Sequence, residues 1–281
     1  MEENPGKMKP IVVRGIFMEK NPKMAKAIPS FVYRFIEKVM HIREINEIIS
    51  MYGDHPGIDF VHGTINYFNV SQKVAGLENL PESGRFIFAS NHPLGGFDSM
   101  LIMDLVHKKY GKFKFLVNDV LMSIKPLQPL FIPLNKHGLL DRGAIQRIED
   151  EYAGDSQILI FPSGFASRKI KGKVRDFEWK KHFIAKAVEY QRDVVPVHVS
   201  GRNSGFFYWL ANFRTSLGIK WNLEMFFLSD ETFKHRNQTF TVTFGKPIPW
   251  QTFDKSKPQS RWAEEVRQTV YTLPELYPEK N

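Results

Sequence analysis

The sequence predicts an α/β fold: a largely parallel central sheet flanked by helices, with an N-terminal helical extension. Three observations predict it. From residue 84 onward, short continuous apolar runs alternate with stretches of helical periodicity, the pattern of a sheet covered on both faces. The polar, glycine-bearing motifs fall at the ends of those runs, where ligands sit in such sheets. No glycine-rich or proline-rich linker interrupts the later part of the chain, so residues 74–281 read as one domain preceded by an N-terminal segment, 1–73.

The elements follow in order. Residues 1–26 carry several lysines and no sustained apolar run. They read as an irregular basic lead-in without the apolar core of a signal peptide. Residues 27–52 read as a helix, because Ile28, Phe31, Phe35, Val39, Ile42, Ile45, Ile49 and Tyr52 recur at spacings of three and four. Ser30, just after Pro29, is in position to cap its start. Such a helix either packs on the core, or lies on a membrane or shapes an acyl channel. Strands are expected at 86–89, 112–117, 130–134, 158–161, 194–199 and 240–244, and helices at about 98–109, 142–152 and 177–191.

Composition narrows the function. The chain has 281 residues, 42% of them hydrophobic, enough for a large core. It has no cysteine, which excludes a disulfide framework, a thiolate metal site and a thiol nucleophile; this fits a reducing cytoplasm. The net charge of +9, from 39 basic and 30 acidic residues, favours phospholipid headgroups, nucleic acid or an acidic carrier protein as partners. The basic residues cluster at strand-end loops instead of interleaving with aromatics along one face, which argues against nucleic acid. No apolar stretch reaches about 18 residues, so no membrane span is expected. The run "GFFYWLANFRTSLGIKW", 205–221, is either an aromatic core segment or a surface that enters a membrane interface, with Arg214 and Lys220 placed to meet headgroups.

Four stretches carry chemistry. In "SNHPLGGFDSM", 90–100, His92 leaves the first strand, Gly95 and Gly96 let the loop fold tightly, and Asp98 falls at the start of the next helix. Either Asp98 orients His92 as a general base, or Asp98 caps the helix and His92 is a loop residue. No Gly-x-Ser-x-Gly elbow offers a nucleophile. In "PLFIPLNKHGLLDRG", 129–143, a strand ends in Asn135, Lys136 and His137, with Arg142 beyond; this is a phosphate or carboxylate site or an ordinary solvated loop. In "LIFPSGFASRKIKGK", 159–173, Ser163, the backbone near Gly164, and Arg168 are placed to bind an anion; the alternative is a basic surface hairpin. In "VVPVHVSG", 194–201, His198 reads as a core histidine rather than a catalyst.

Taken in order, these stretches resemble the glycerolipid acyltransferase family, which includes the lysophosphatidic acid acyltransferases. The first block of that family, Asn-His with four residues before Asp, is matched by Asn91-His92 and Asp98. The third, Phe-Pro-Glu-Gly-Thr-Arg-Ser, is matched by Phe161-Pro162-Ser163-Gly164 and Arg168, and the fourth by Val195-Pro196-Val197. "VAGLENLPESG", 74–84, resembles the approach to the first strand and "VTFGKPIP", 242–249, the closing strand. Two departures matter. Five residues separate His92 from Asp98, and Ser163 stands where the family has glutamate. The second favours the branch that O-acylates lyso-amino-acid lipids such as N-(3-hydroxyacyl)-glycine or -ornithine.

The resemblance implies direct acyl transfer from an acyl thioester, on acyl carrier protein or coenzyme A, to the hydroxyl of a lyso-lipid. His92 would act as base and Asp98 as its orienting partner. Backbone donors of the Gly95-Gly96 loop would steady the oxyanion. Arg168, Ser163, Gly164 and Lys136 would hold the acceptor's anionic group. No metal or redox cofactor is expected. The protein is expected to be cytoplasmic and peripheral on the anionic inner face of the membrane. The alternatives are a 1-acylglycerol-3-phosphate acyltransferase of phospholipid synthesis, and a non-catalytic protein that binds anionic membranes.

Overall fold

The computed structural model describes residues 10–134 and 142–278. Five helices come first: α1 (Val13–Lys20), α2 (Pro22–Ala27), α3 (Ser30–Val39), α4 (Ile42–Tyr52) and α5 (Ile58–Phe68). The chain continues through β1 (Ser71–Ala75), β2 (Phe86–Ser90), α6 (Phe97–Tyr110), β3 (Phe113–Asn118), β4 (Phe131–Leu134), α7 (Arg142–Ala153) and β5 (Gln157–Ile160). A hairpin of β6 (Arg168–Ile170) and β7 (Lys173–Arg175) follows, then α8 (His182–Glu189), β8 (Asp193–Val199), α9 (Gly205–Ser216), α10 (Leu228–Lys234), β9 (Thr239–Phe244) and α11 (Gln259–Leu276).

Seven strands form one sheet in the order β1-β9-β8-β2-β5-β3-β4. The five from β8 to β4 are mutually parallel. β9 runs antiparallel to β8 and parallel to β1, so this edge pair points the other way. Alternation along each strand divides the core in two. Phe86 and Phe88 of β2, Phe115 of β3 and Leu159 of β5 face the cluster built with α5 and α6. Ile87, Ala89, Leu116, Ile158 and Ile160 face the other, with Trp179, Phe183 of α8 and Val266 of α11. Both faces are covered, which is why these strands are apolar throughout.

The structure departs from the sequence expectations at the N-terminus. Residues 13–27 are not irregular but form α1 and α2. Asn21 caps α2 by accepting the Met24 N–H at 3.1 Å, with Pro22 at the first helical position. The helix expected over 27–52 is two helices. His41 between them takes a left-handed conformation, φ 52°, held by an Asp230 contact at 3.1 Å and by stacking on Phe233. Ser30 is the first helical residue and Pro29 occupies the capping position without a side-chain cap bond. The helix expected at 177–191 is confined to α8. The boundary drawn between residues 73 and 74 falls inside β1, which pairs with β9.

His198, on β8, sits near Tyr271 of α11 at 6.1 Å between ring centroids, and burial pushes its imidazole down to about 4. The unfolded chain takes up this proton at its ordinary pKa near 6.5, the folded chain only at the lower value. The stability contributed by neutral His198 is therefore complete above about pH 6.5 and is lost as pH falls toward about 4, at most about 3 kcal/mol. Urea unfolding across this range is expected to show a shallower pH dependence in His198→Gln than in the wild type; parallel curves would contradict this assignment.

Candidate active site

β2 carries the site on its carboxyl end. Asn91 is buried and its side chain bridges to β8, donating to the Val199 carbonyl at 2.9 Å and accepting the Val199 N–H at 2.8 Å. This fixes the direction in which His92 leaves the strand. Asp98 lies in the first turn of α6 and is 0% exposed. It accepts from His92 Nδ1 at 2.9 Å, from the backbone N–H groups of Leu94 at 2.9 Å and Gly96 at 3.1 Å, and from that of Ser99 at 3.0 Å. Capping the helix and orienting the imidazole are thus one arrangement, not alternatives. The five intervening residues fit because Gly95 adopts φ 75°, and a Cβ there would stand 2.3 Å from Leu228 of α10.

A carboxylate only accepts, so Nδ1 carries the hydrogen and Nε2 keeps its lone pair. His92 lines a cavity, and its ring stacks on Phe161 at 3.9 Å between centroids. The cavity holds about 940 Å³, at the upper end of the usual range for ligand sites. Its polar lining includes His92, Ser99, Asn118, Lys125, Lys180 and His182. Most of the remaining wall is apolar, with Ile45 and Ile49 of α4, Phe60 of α5, Phe115 of β3, Leu121 and Phe131 among it.

A second buried carboxylate, Asp176, is absent from the sequence reading. It accepts from the His92 backbone N–H at 3.2 Å, from the Ser167 hydroxyl and from Trp179 Nε1 at 2.9 Å. Burial pushes its carboxyl pKa up, and these three donors hold it back. Ser167 N–H also donates to the His92 carbonyl at 2.7 Å. The loop after β5 is in this way clipped to the loop after β2. The Asp176 backbone is tied in turn to Tyr271 and Arg267 of α11. A lone aspartate in "KVRDFEW", 173–179, gives no signal of this role.

The residues expected to hold an anion do not converge. Ser163 Oγ donates to the Phe165 carbonyl at 2.7 Å, and the Gly164 N–H to the Phe161 carbonyl at 3.0 Å. Arg168 is 3% exposed. Its guanidinium donates to Glu224 at 2.7 Å and to the Ala166 carbonyl at 2.6 Å, and lies over the Phe207 ring. Glu224, itself fully buried, also takes Arg214. Arg168 thus joins a buried Arg-Glu-Arg cluster at the start of the β6–β7 hairpin, while its Nε is buried without a hydrogen-bond partner. Of the glycine-loop N–H groups expected to face an oxyanion, that of Gly96 is spent on Asp98. Lys136 lies outside the described residues. Lys180, which sequence reasoning passes over, lines the cavity next to Pro162 and donates its backbone N–H to the Pro162 carbonyl at 3.0 Å.

Comparison with known proteins gives a consistent result. Residues 15–276 match the family model described as "Acyltransferase". The chain is 48% identical over 264 residues to a lyso-glycine lipid O-acyltransferase of Bacteroides thetaiotaomicron, covering 94% of this chain and 97% of that protein. It is 44% identical over 264 residues to a lyso-glycine lipid O-acyltransferase of Phocaeicola vulgatus, covering 94% and 95%. Among solved structures it is similar to the 1-acyl-sn-glycerophosphate (LPA) acyltransferase PlsC from Thermotoga maritima, with a TM-score of 0.50 and 19% identity over 89% of this chain and 90% of that one. This last similarity concerns the fold.

The Arg168 cluster makes a stability prediction. Burial alone raises the Glu224 carboxyl pKa, but the Arg214 and Arg168 contacts outweigh it and hold it below the usual carboxylate range. Removing one cation leaves a buried charge short of a partner. Arg168→Ala is expected to cost about 3–5 kcal/mol in denaturant unfolding. An unchanged unfolding midpoint together with a raised Michaelis constant for the acceptor would return Arg168 to the acceptor site.

Proposed function

The chain belongs to the acyltransferase family, and on that premise we propose that it moves a fatty acyl group from an acyl thioester to the hydroxyl of a lyso-glycine lipid. The donor is acyl carrier protein or coenzyme A. The observation that carries the reading is the His92–Asp98 pair, whose imidazole lines a large, mostly apolar cavity. The relatives' names support the acceptor, and favour it over 1-acylglycerol-3-phosphate, for which the support is a shared fold.

In this reading Nε2 of His92 takes the proton of the acceptor hydroxyl as its oxygen attacks the thioester carbonyl. Asp98 supports the imidazolium that forms. The tetrahedral intermediate collapses by breaking the C–S bond, and the imidazolium returns the proton to the departing thiolate. No acyl-enzyme is needed, because the chain has no cysteine and the Ser163 hydroxyl is turned onto its own loop. The apolar walls take an acyl chain. No metal or redox cofactor enters the scheme. Lys180, in the cavity wall, supplies the positive charge for the acceptor's carboxylate in place of Arg168. The substrate lipid requires contact with a membrane, and no helix among the described residues is long and apolar enough to cross one. We propose a peripheral association with the anionic inner face, in which the exposed Phe31 and Phe35 of α3 and the outer face of α9 meet lipid.

The test is turnover by the purified protein with a synthetic lyso-glycine lipid and acyl thioesters, read as diacylated product and released thiol. His92→Ala is expected to lower kcat by about 10³-fold with an unchanged unfolding midpoint. Asp98→Asn is expected to be comparably severe, since an amide no longer enforces the tautomer. Near-normal turnover in His92→Ala would remove the mechanism. Lys180→Gln is expected to raise the acceptor Michaelis constant about tenfold, one ion pair's worth, with kcat kept. The methyl ester of the acceptor should be used equally by variant and wild type. An equal loss with the ester would dissociate Lys180 from the carboxylate.

A further inference from the structure

A second pocket, of about 1190 Å³, lies on the other side of α10 from the catalytic cavity. Ser229, Thr232 and Phe233 of α10 line the cavity, whereas Glu231, Lys234 and the following His235 line the second pocket. The β6–β7 hairpin and the start of α9 complete it. Four cations stand around it, Lys169, Lys171, Arg202 and Lys234, against one carboxylate, Glu231. Glu231 is already satisfied: it is 1% exposed and accepts from the Ser204 backbone and hydroxyl and from Lys234. Lys169, Lys171 and Arg202 are exposed and have no carboxylate partner among the described residues. Asn203, in the pocket wall and 3% exposed, spends its Oδ1 on His235 and leaves its Nδ2 donor without an acceptor. A buried donor without an acceptor is costly, so the pocket wall carries unmet hydrogen-bonding capacity.

An apolar stripe adjoins this charge. Phe206, Trp209 and Phe213 recur at helical spacing on α9, are 45%, 57% and 47% exposed, and stack in sequence, Phe206 on Trp209 and Trp209 on Phe213. Trp209 belongs to both features, since it also lines the pocket. We propose that this pocket receives the phosphate of an anionic phospholipid headgroup while the α9 stripe enters the interface beside it. A free phosphate would account for the cations but not for the stripe. Aromatic side chains sit at headgroup level in membranes, and cations near an anionic leaflet each favour binding. The proposal rests on the reading that the acceptor is a membrane lipid, and names the face that meets the membrane.

The experiment is flotation of the full-length protein with phosphatidylcholine vesicles, with and without phosphatidylglycerol. Three proteins are compared: wild type, the triple variant Lys169→Gln/Lys171→Gln/Arg202→Gln, and a control triple variant with three exposed lysines removed elsewhere, Lys112→Gln/Lys246→Gln/Lys255→Gln. Wild type is expected to prefer the anionic vesicles. The pocket variant should lose about 100-fold in partitioning, and the control under about fivefold. Turnover on detergent-dispersed acceptor should stay at the wild-type level in both variants. The proposal is overturned if the pocket variant floats as wild type does, if the control loses as much, or if wild type binds neutral and anionic vesicles alike. It is also overturned if the pocket variant keeps vesicle binding but raises the Michaelis constant for acyl carrier protein, which would give this face to an acidic protein. Headgroup binding without any acyl transfer would leave the site standing and remove the proposed function instead.

Discussion

The site depends on one buried carboxylate. Asp98 is removed from water at the amino end of α6, and four hydrogen-bond donors converge on it: the His92 ring and the N–H groups of Leu94, Gly96 and Ser99. An isolated carboxylate there would be strongly disfavoured; with four donors and the positive end of a helix it is held. Every feature of the loop follows from satisfying this charge. The chain must fold back over the helix start, which requires the left-handed turn at Gly95. The imidazole must present Nδ1 inward, which turns Nε2 toward the cavity. A requirement of folding and the requirement of the proposed general-base chemistry are met by the same atoms.

Asp176 extends this scheme across the sheet. It grips the backbone of His92 and the hydroxyl of Ser167, so the loops after β2 and β5 are held together. Through Tyr271 and Arg267 it also joins α11. Farther out, Arg168, Arg214 and Glu224 fasten the hairpin to α9 and to the segment at 223–227. These charged side chains are buried structural ties. Charge at a strand end is therefore a weak indicator of an anion site until its partner is known.

This explains what is legible in the sequence. The inner strands β2, β3, β5 and β8 of the large sheet are evident because a strand covered on both faces is mostly apolar. β1 is not, because it is an edge strand, Ser71–Ala75, with half-exposed polar residues, and edges carry little pattern. The pairing of His92 with Asp98 is local, six positions apart, and can be seen in one motif. The partner of Arg168 lies 56 positions away, and Asp176 lies 84 positions from His92, distances at which no motif links two residues. The stretch 205–221 illustrates a different limit. Its two readings, core segment and exposed aromatic surface, both describe it: Phe207, Tyr208 and Ala211 are buried while Phe206, Trp209 and Phe213 face outward. Aromatic content alone does not distinguish the faces of such a helix; its register does.

The N-terminal helices change meaning once the cavity is seen. As an extension they would be dispensable to the chemistry. Instead α4 supplies Ile45, Ile48 and Ile49, and α5 supplies Phe60, Thr64 and Phe68, to the cavity that His92 and Phe115 of β3 also line. The parallel sheet can place His92 at a strand end by itself, but it cannot enclose an apolar chain there, because the carboxyl ends of strands open toward solvent. The enclosure comes from helices that precede the sheet in sequence and return over its open end. His41 is where this return is secured: its left-handed turn separates α3 from α4, and its contacts with Asp230 and Phe233 dock that corner onto α10. The same short helix presses Leu228 against Gly95. One element thus closes the apolar cavity, holds the glycine turn in place and walls off the basic pocket beyond it.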